Sequence, residues 1–408
     1  MHMTRTRTRD LRIILILGAL STVSPFSIDM YLPAFPQIAH DLGTTPAEIS
    51  LSVAGYFIGL AAGQLFYGPL LDRFGRKLPI YAGLVLFILA SLGCLAARSP
   101  KFFIGMRLLQ ALGGCAAQVG STAMVRDYFP VEESAKIISL LILVLSVSPL
   151  FAPSVGGFVT TSIGWPWIFL ILAAFALLVI ALTALLPPGH KPDPTISLRP
   201  GAMLRGFGEV IGEPRFYTYA FAGAFSFAGL FVYVTGSPII FLDTFHVDPR
   251  TYGLIFAGLA ASCIGASQLN IWLTRYYAGG AIFRVALIGQ TLVMAVTFVG
   301  SALGWYGLTA NIVLLLLYLA FCGPAFPNAA AMALAPFTRN VGSASALLGF
   351  IQMGIGALAS TGVGLLHAST SLPIYAVMAA TAIIGLGILL ANQKRLLDVP
   401  AAILAKRR

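Results

Sequence analysis

Between Leu11 and Ala39 the chain carries an apolar run too long for a core helix of a soluble protein and long enough to cross a bilayer with tilt. Within it, Thr22-Val-Ser-Pro-Phe-Ser-Ile-Asp-Met-Tyr-Leu-Pro-Ala-Phe-Pro36 is apolar apart from a few hydroxyls and one carboxylate, Asp29. An ionised Asp near the middle of a spanning helix costs about 2.5–3.5 kcal/mol on insertion scales, so such a residue is expected to act or to be held. The rest of the chain repeats the pattern. It is 58% hydrophobic and 10% charged, with a mean hydropathy of +0.90. That balance excludes a soluble domain. Long apolar runs in place of short alternating strands exclude a β-barrel.

Twelve spans are expected, at 11–39, 47–69, 78–97, 101–125, 137–162, 165–186, 216–241, 251–273, 282–303, 308–333, 342–366 and 372–391. With the N-terminus inside, the inner segments hold 21 of the 25 basic residues, and the outer loops hold Arg98, Lys101 and Arg250. This asymmetry predicts two cytoplasmic termini. The longest loop, 187–215, is rich in proline and divides the chain into a six-helix bundle over 1–186 and another over 216–408. The layout is that of a transporter whose halves rock against each other. Arg5, Arg7, Arg9 and Arg12 precede a run too long for a signal peptide, and no small-residue cleavage site follows, so the first span is read as retained. The net charge of +11 sits in short loops between spans, which is no nucleic-acid footprint. Cys94, Cys115, Cys263 and Cys322 fall inside apolar runs without metal spacing and read as packing residues. No cofactor or metal is implied, and no phosphate loop is present for ATP-driven pumping.

Four stretches carry the polar chemistry. The turn Gly68-Pro-Leu-Leu-Asp72-Arg73-Phe-Gly75-Arg76-Lys77 pairs a tight reversal at Gly75 with mixed charges. Its basic residues anchor topology. Asp72 is also suited to dock on the N-terminus of span eleven at Gly342-Ser343, with Arg73, Arg76, Lys77 and Arg126 as a conformational latch. In span four, Arg107-Leu-Leu-Gln110-Ala-Leu-Gly113-Gly114 places an arginine inside the bilayer, and Arg107, Ala111, Gly114 and Gln118 share one polar, small-residue face. Two readings remain for Arg107: a structural tie to carbonyls or to Gln110, or a neighbour of Asp29 that sets its proton affinity. In span five, Pro149, Pro153, Gly156 and Gly157 permit bending and close approach, and are candidates for a hinge. Spans seven to twelve have no charge deep within them. Phe227 and Asn328 there, with Tyr56 in span two, are candidate cavity residues beside Asp29, Arg107 and Gln118.

The turn signature G-x-x-x-D-R-x-G-R-K and the R-x-x-Q-x-x-G pattern of span four resemble the major facilitator superfamily. Ser27-Ile-Asp29-Met-Tyr-Leu-Pro33, Met124-Val-Arg126-Asp127 and Phe225-Ser-Phe-Ala-Gly229 look like its branch of bicyclomycin and chloramphenicol/florfenicol exporters, over nearly the whole chain. Span five resembles the exporters' G-x-x-x-G-P-x-x-G-G motif in Pro153, Gly156 and Gly157, with Ser148 and Ala152 in place of two glycines. The resemblance implies an all-α fold of two six-helix bundles and proton-coupled drug efflux across a bacterial inner membrane. It also implies functional importance for Asp29 and Arg107. Some relatives carry a second acid two turns earlier in the first helix, where this chain has Ser21, which favours a single proton per cycle. The expected partners are a small drug, protons and lipids, with the protein a monomer. The rivals are a metabolite exporter or symporter, a channel, and a membrane enzyme. The five histidines, His2, His40, His190, His246 and His367, are too scattered for a catalytic cluster.

Overall fold

The computed structural model describes residues 2–129, 131–187, 189, 192–193, 208, 210–337, 341–366 and 370–392. His190, His367 and most of the 187–215 loop lie outside the described residues, as do the side chains of Glu132, Glu133 and Lys136 and the surroundings of Gly342.

Among the described residues there is no strand. Helix α1 (His2–Asp29) is followed by a 3-10 turn (Leu32–Ala34) and a short helix (Phe35–Asp41), which together make the first span. Then come α2 (Pro46–Arg73), α3 (Lys77–Leu95), α4 (Pro100–Tyr128), α5 (Val131–Ser162), α6 (Pro166–Ala184) and α7 (Pro214–Pro238). Helix α7 runs on into a π-helical turn, Ile239–Thr244. The chain continues with α8 (Pro249–Leu273), α9 (Gly279–Ala302), α10 (Leu308–Leu334), α11 (Val341–Leu365) and α12 (Ser371–Ala391). Eleven of these spans are long and apolar enough to cross a membrane. The twelfth, α5, has 32 residues and no charge from Ile137 to Ser162. Its helix starts at Val131, ahead of the expected 137, because hydropathy finds the bilayer and not the end of the helix.

The ends follow from local chemistry. Pro46 and Pro100 stand at first-turn positions where a missing N–H is harmless, and Thr45 and Ser99 accept hydrogen bonds from the backbones of Glu48 and Phe102. The expected reversal at Gly75 is found, and Gly164 makes another between α5 and α6. Both adopt positive φ, 77° and 97°, which a side chain would resist.

Packing divides the chain into two units: Met1–Leu198 with Val234–Ala260, and Arg199–Tyr233 with Ala261–Arg408. In the first unit α4 is the hub, packed on α1, α2 and α3. Its approach is close. A Cβ on Gly63 would lie 2.6 Å from Cys115, and one on Gly113 would lie 2.6 Å from the Phe87 nitrogen. Small residues let membrane helices meet at this distance, where dispersion contacts replace the hydrophobic effect. In the second unit α9 packs on α10 and α12. Phe216, Phe283, Leu287, Ala325, Ala329 and Leu347 form part of its core.

Candidate functional site

The first span breaks at Asp29. Pro33 has no N–H to donate to the Asp29 carbonyl four residues back, and Pro36 likewise leaves Leu32 without a helical donor. The chain therefore closes a 3-10 turn over Leu32–Ala34 before the helix resumes. The Asp29 carboxylate sits at the end of α1, 5% exposed. Neither a hydrogen bond nor an ion pair joins it to another described residue. Irregular backbone at membrane depth persists only where protein covers it, and here α5 does so. A Cβ on Gly156 would collide with the Met30 carbonyl, so only glycine lets α5 lie against the break.

On its other side the same turn of α5 meets α8. A Cβ on Gly157 would lie 2.5 Å from the Pro249 carbonyl oxygen, and one on Gly253 would lie 2.8 Å from the Ser154 Cα. Arg250 Nε donates to Thr161 at 3.2 Å. Of the residues expected to permit bending and close approach, Gly156 and Gly157 make the close approach. Pro149 and Pro153 lie inside one unbroken helix. Fully buried Tyr252 shares a 2.8 Å hydroxyl–hydroxyl hydrogen bond with Ser237.

Arg107 is completely buried. Its Nη1 donates to Ser27 Oγ at 2.7 Å and to Gln110, and its Nη2 donates to the Ser27 carbonyl at 3.0 Å. Gln110 in turn donates to Ser91 at 2.6 Å. The guanidinium lies between the rings of Tyr31 and Tyr56, 4.1 and 4.4 Å from their centroids. Desolvated cation–π contacts contribute about 2 kcal/mol or more, and hydrogen bonds to a charged group about 1.5–3 kcal/mol each. The cage therefore offsets a large part of the cost of burying the charge. Sequence reasoning left open a partnership of Arg107 with Asp29. The geometry instead ties Arg107 to Gln110 and to α1 two residues before the acid, with no ion pair between the two charges. Ser27 and Tyr31 stand in the stretch that carries the family resemblance without being singled out for this role, and Ser91 carries no sequence signal beyond being polar in an apolar run.

Three further atoms near this seam are buried without a partner: Ser24 Oγ, Gln118 Oε1 and Arg107 Nε. The side chain of Ser24 lies beside Gly114 of α4, and one turn away Ser21 and Ser121 share a 2.8 Å hydrogen bond. Tyr56, besides stacking on Arg107, reaches the Ser24 carbonyl at 3.5 Å. In the second unit Phe227 packs its ring on Phe231 and Phe326, at 5.0 and 4.9 Å. Asn328 is engaged internally, donating to Asn270 at 2.7 Å and to the Pro324 carbonyl at 2.8 Å. A second acid, Asp243, is half-buried in the π-helical end of α7. Sequence reasoning passed it over because it stands at the edge of its span.

The charged turn is organised within the first unit. Arg76 pairs with Asp72 at 2.5 Å and with Asp127 at 2.8 Å. Burial lowers the Arg76 pKa, but the hydrogen bonds to Asp127 and Asp72 outweigh it and hold the group above its ordinary value. The expected Arg126 does not complete this cluster. Neighbours on a helix point about 100° apart, so Asp127 faces Arg76 while Arg126 is exposed. Arg73 lies over the ring of Phe74. Lys77 donates to the Leu186 carbonyl at 2.7 Å, Arg12 to Leu185 at 3.2 Å and Tyr128 to Pro187 at 2.8 Å. These donors satisfy the carbonyls at and just beyond the C-terminus of α6, which have no helical partner. Asp127→Asn is expected to lower thermal stability in detergent by about 1–3 kcal/mol, since it weakens one arm of a largely buried pair. Arg126→Ala is expected to stay within about 0.5 kcal/mol. Equal effects of the two would mean that Asp127 does not hold the turn.

Spans, break and buried charges define a multi-pass helical membrane protein. The sequence matches the Major Facilitator Superfamily over residues 17–361, and the chain belongs to that superfamily of transporters. It is 32% identical over 377 residues to a bicyclomycin resistance protein homolog of Haemophilus influenzae, covering 91% of this chain and 93% of the relative. A chloramphenicol resistance protein of Pseudomonas aeruginosa is 28% identical over 383 residues, covering 91% and 89%. A multidrug resistance protein, MdtL, of Shewanella is 29% identical over 385 residues, covering 94% and 96%. The crystal structure of a D-xylose-proton symporter superposes with a TM-score of 0.72 at 15% identity, covering 93% of this chain and 96% of that one. At that identity the likeness speaks for the fold alone. The chain is therefore a transporter of small molecules and not an enzyme.

Proposed function

We propose that the chain exports drug-like antibiotics by alternating access, exchanging each for a proton carried on Asp29. The carrying observation is a carboxylate buried without a partner at the break of a spanning helix. A carboxyl group away from water and one facing water or a cation hold their protons with different strength. A conformational switch that exchanges the two surroundings therefore loads and unloads a proton. Arg107 is a cation without an ion-pair partner among the described residues. It holds α1 beside the acid, and its free Nε, with Ser24 Oγ and Gln118 Oε1, offers polar contacts to a substrate. Buried polar atoms without partners call for a ligand or water. Phe227 and Tyr56 supply aromatic surface, and relatives named for bicyclomycin, chloramphenicol and multidrug resistance support the substrate class.

In this reading the protein works as a monomer in the bacterial inner membrane with both termini cytoplasmic, as the basic asymmetry of its loops favours. Asp72 and the Arg76 cluster then lie on the cytoplasmic side, where they serve as its latch. The test uses everted vesicles. Adding chloramphenicol, florfenicol or a cationic dye to energised vesicles should release protons with the wild type. Proton release that is unchanged with Asp29→Asn would sink the scheme.

A further inference from the structure

Helix α6 ends at Ala184, yet the chain that follows it stays on the ends of neighbouring helices. Lys77 at the start of α3 donates to the Leu186 carbonyl, and Arg12 of α1 donates to that of Leu185. Tyr128 at the end of α4 donates to the Pro187 carbonyl at 2.8 Å. The Asp193 N–H then donates to the Asp72 carbonyl near the end of α2, 3.1 Å away. Carbonyls of a last helical turn need such donors in any protein. The Pro187 carbonyl and the Asp193 N–H lie beyond that turn, so helix capping does not account for them.

Between these two ties, Gly189 lies on the charged cluster itself. A Cβ there would stand 3.0 Å from Asp127 Oδ2 and 3.1 Å from Arg76 Cγ. The side chains of Arg76 and Asp127 are 10% and 11% exposed, whereas Asp72, on the other arm of Arg76, is 47% exposed. The bare backbone of Gly189 thus helps to keep water from the Arg76–Asp127 arm. An ion pair held from water is screened less than an open one. Past Leu186 the segment is fastened by hydrogen bonds and not by deeply buried apolar side chains: Pro187, Gly189 and Asp193 are half-buried, and Pro192 is exposed. A seat of this kind can come off without opening a core.

We propose that Leu185–Pro187, Gly189 and Asp193 form a strap that holds the charged turn in place, so that the turn rearranges only when the strap lifts. Tyr128 and Gly189 are its positioning residues. One ties the strap down, and the other lets it lie on the ion pair. Strap and turn then share one equilibrium, and loosening either loosens the other. The use of this device in transport rests on the export reading above; its test does not.

Amide hydrogen exchange of the full-length protein in detergent reads the strap at Asp193 and the turn at Phe74, whose N–H donates to the Leu70 carbonyl. Both amides are expected to be protected in the wild type. Tyr128→Phe removes one hydrogen bond and keeps the ring. It should speed exchange at both sites by about fivefold, the ratio that one net hydrogen bond contributes. Gly189→Val, which puts a branched side chain against Asp127 and Arg76, should also speed both from a different position. Arg76→Gln, made in the turn, should speed exchange at Asp193, since coupling is reciprocal. Amides in the middle of α6 should stay unchanged in all three, which separates lifting of the strap from loss of the fold. An unprotected Asp193 amide in the wild type would overturn the proposal. So would exchange that Tyr128→Phe and Gly189→Val leave unchanged, or that they speed at Asp193 with Phe74 unmoved, which would make the segment a passive tether.

Discussion

Asp29→Asn is expected to leave a folded transporter that exchanges drug for drug across a vesicle membrane but no longer couples drug movement to protons. The expectation rests on the surroundings of the side chain. The carboxylate has no hydrogen-bond partner and no ion-pair partner among the described residues, so an amide of the same shape breaks no contact. It also removes a group whose ionised form costs about 2.5–3.5 kcal/mol at mid-membrane, so stability should hold or rise. The amide mimics the protonated acid and cannot release the proton. Counterflow of labelled chloramphenicol should therefore continue at a rate that no longer varies with pH, whereas the wild-type rate varies. Loss of counterflow in a protein that still binds drug would assign Asp29 a structural or binding role instead.

Gly156→Ala is expected to lower stability and transport together, although alanine is the better helix former by about 0.5–1 kcal/mol. The added Cβ would collide with the Met30 carbonyl oxygen and lie 2.7 Å from its carbon. These are backbone atoms of a broken helix and cannot rotate away. Overpacking of this kind costs about 1–3 kcal/mol, which exceeds the propensity gain. Gly258→Ala in α8 is the control, because nothing lies within 4 Å of its Cβ position. That change should hold or raise the unfolding temperature. If both substitutions moved it in the same direction, the contact at the break would not be the cause.

Much of this architecture is written in single residues. Runs of apolar side chains fix where helices cross the bilayer, because no water remains there for an unpaired backbone group. Gly75 and Gly164 mark the reversals because only glycine takes their φ without strain. The buried charges were legible as positions, since Asp29 and Arg107 stand alone in apolar surroundings, but their relation was not. The sequence allows Arg107 to reach the acid or to grip the backbone, and only the placement of Ser27, Tyr31 and Tyr56 decides. The place expected for Arg126 beside Arg76 goes to Asp127 for a similar reason: adjacent helix positions carry opposite signs, and the rotation of α4 selects one. The Gly156–Gly157 pair permits both bending and close approach in sequence, and seeing the close approach requires knowing what lies opposite.

The grip of Arg107 on the Ser27 carbonyl has a consequence for how the protein is made. When α1 leaves the ribosome, its interrupted end has carbonyls that lipid cannot satisfy. When α4 follows, it brings an arginine that lipid does not tolerate either. Each defect is the remedy for the other, with Tyr31 and Tyr56 closing around the join. A nascent chain that stops short of α4 thus holds a first helix with no settled home in the bilayer. A chain cut before α4 is therefore expected to hold its first helix less firmly than one cut after it, which alkaline extraction of membranes carrying the two fragments would check.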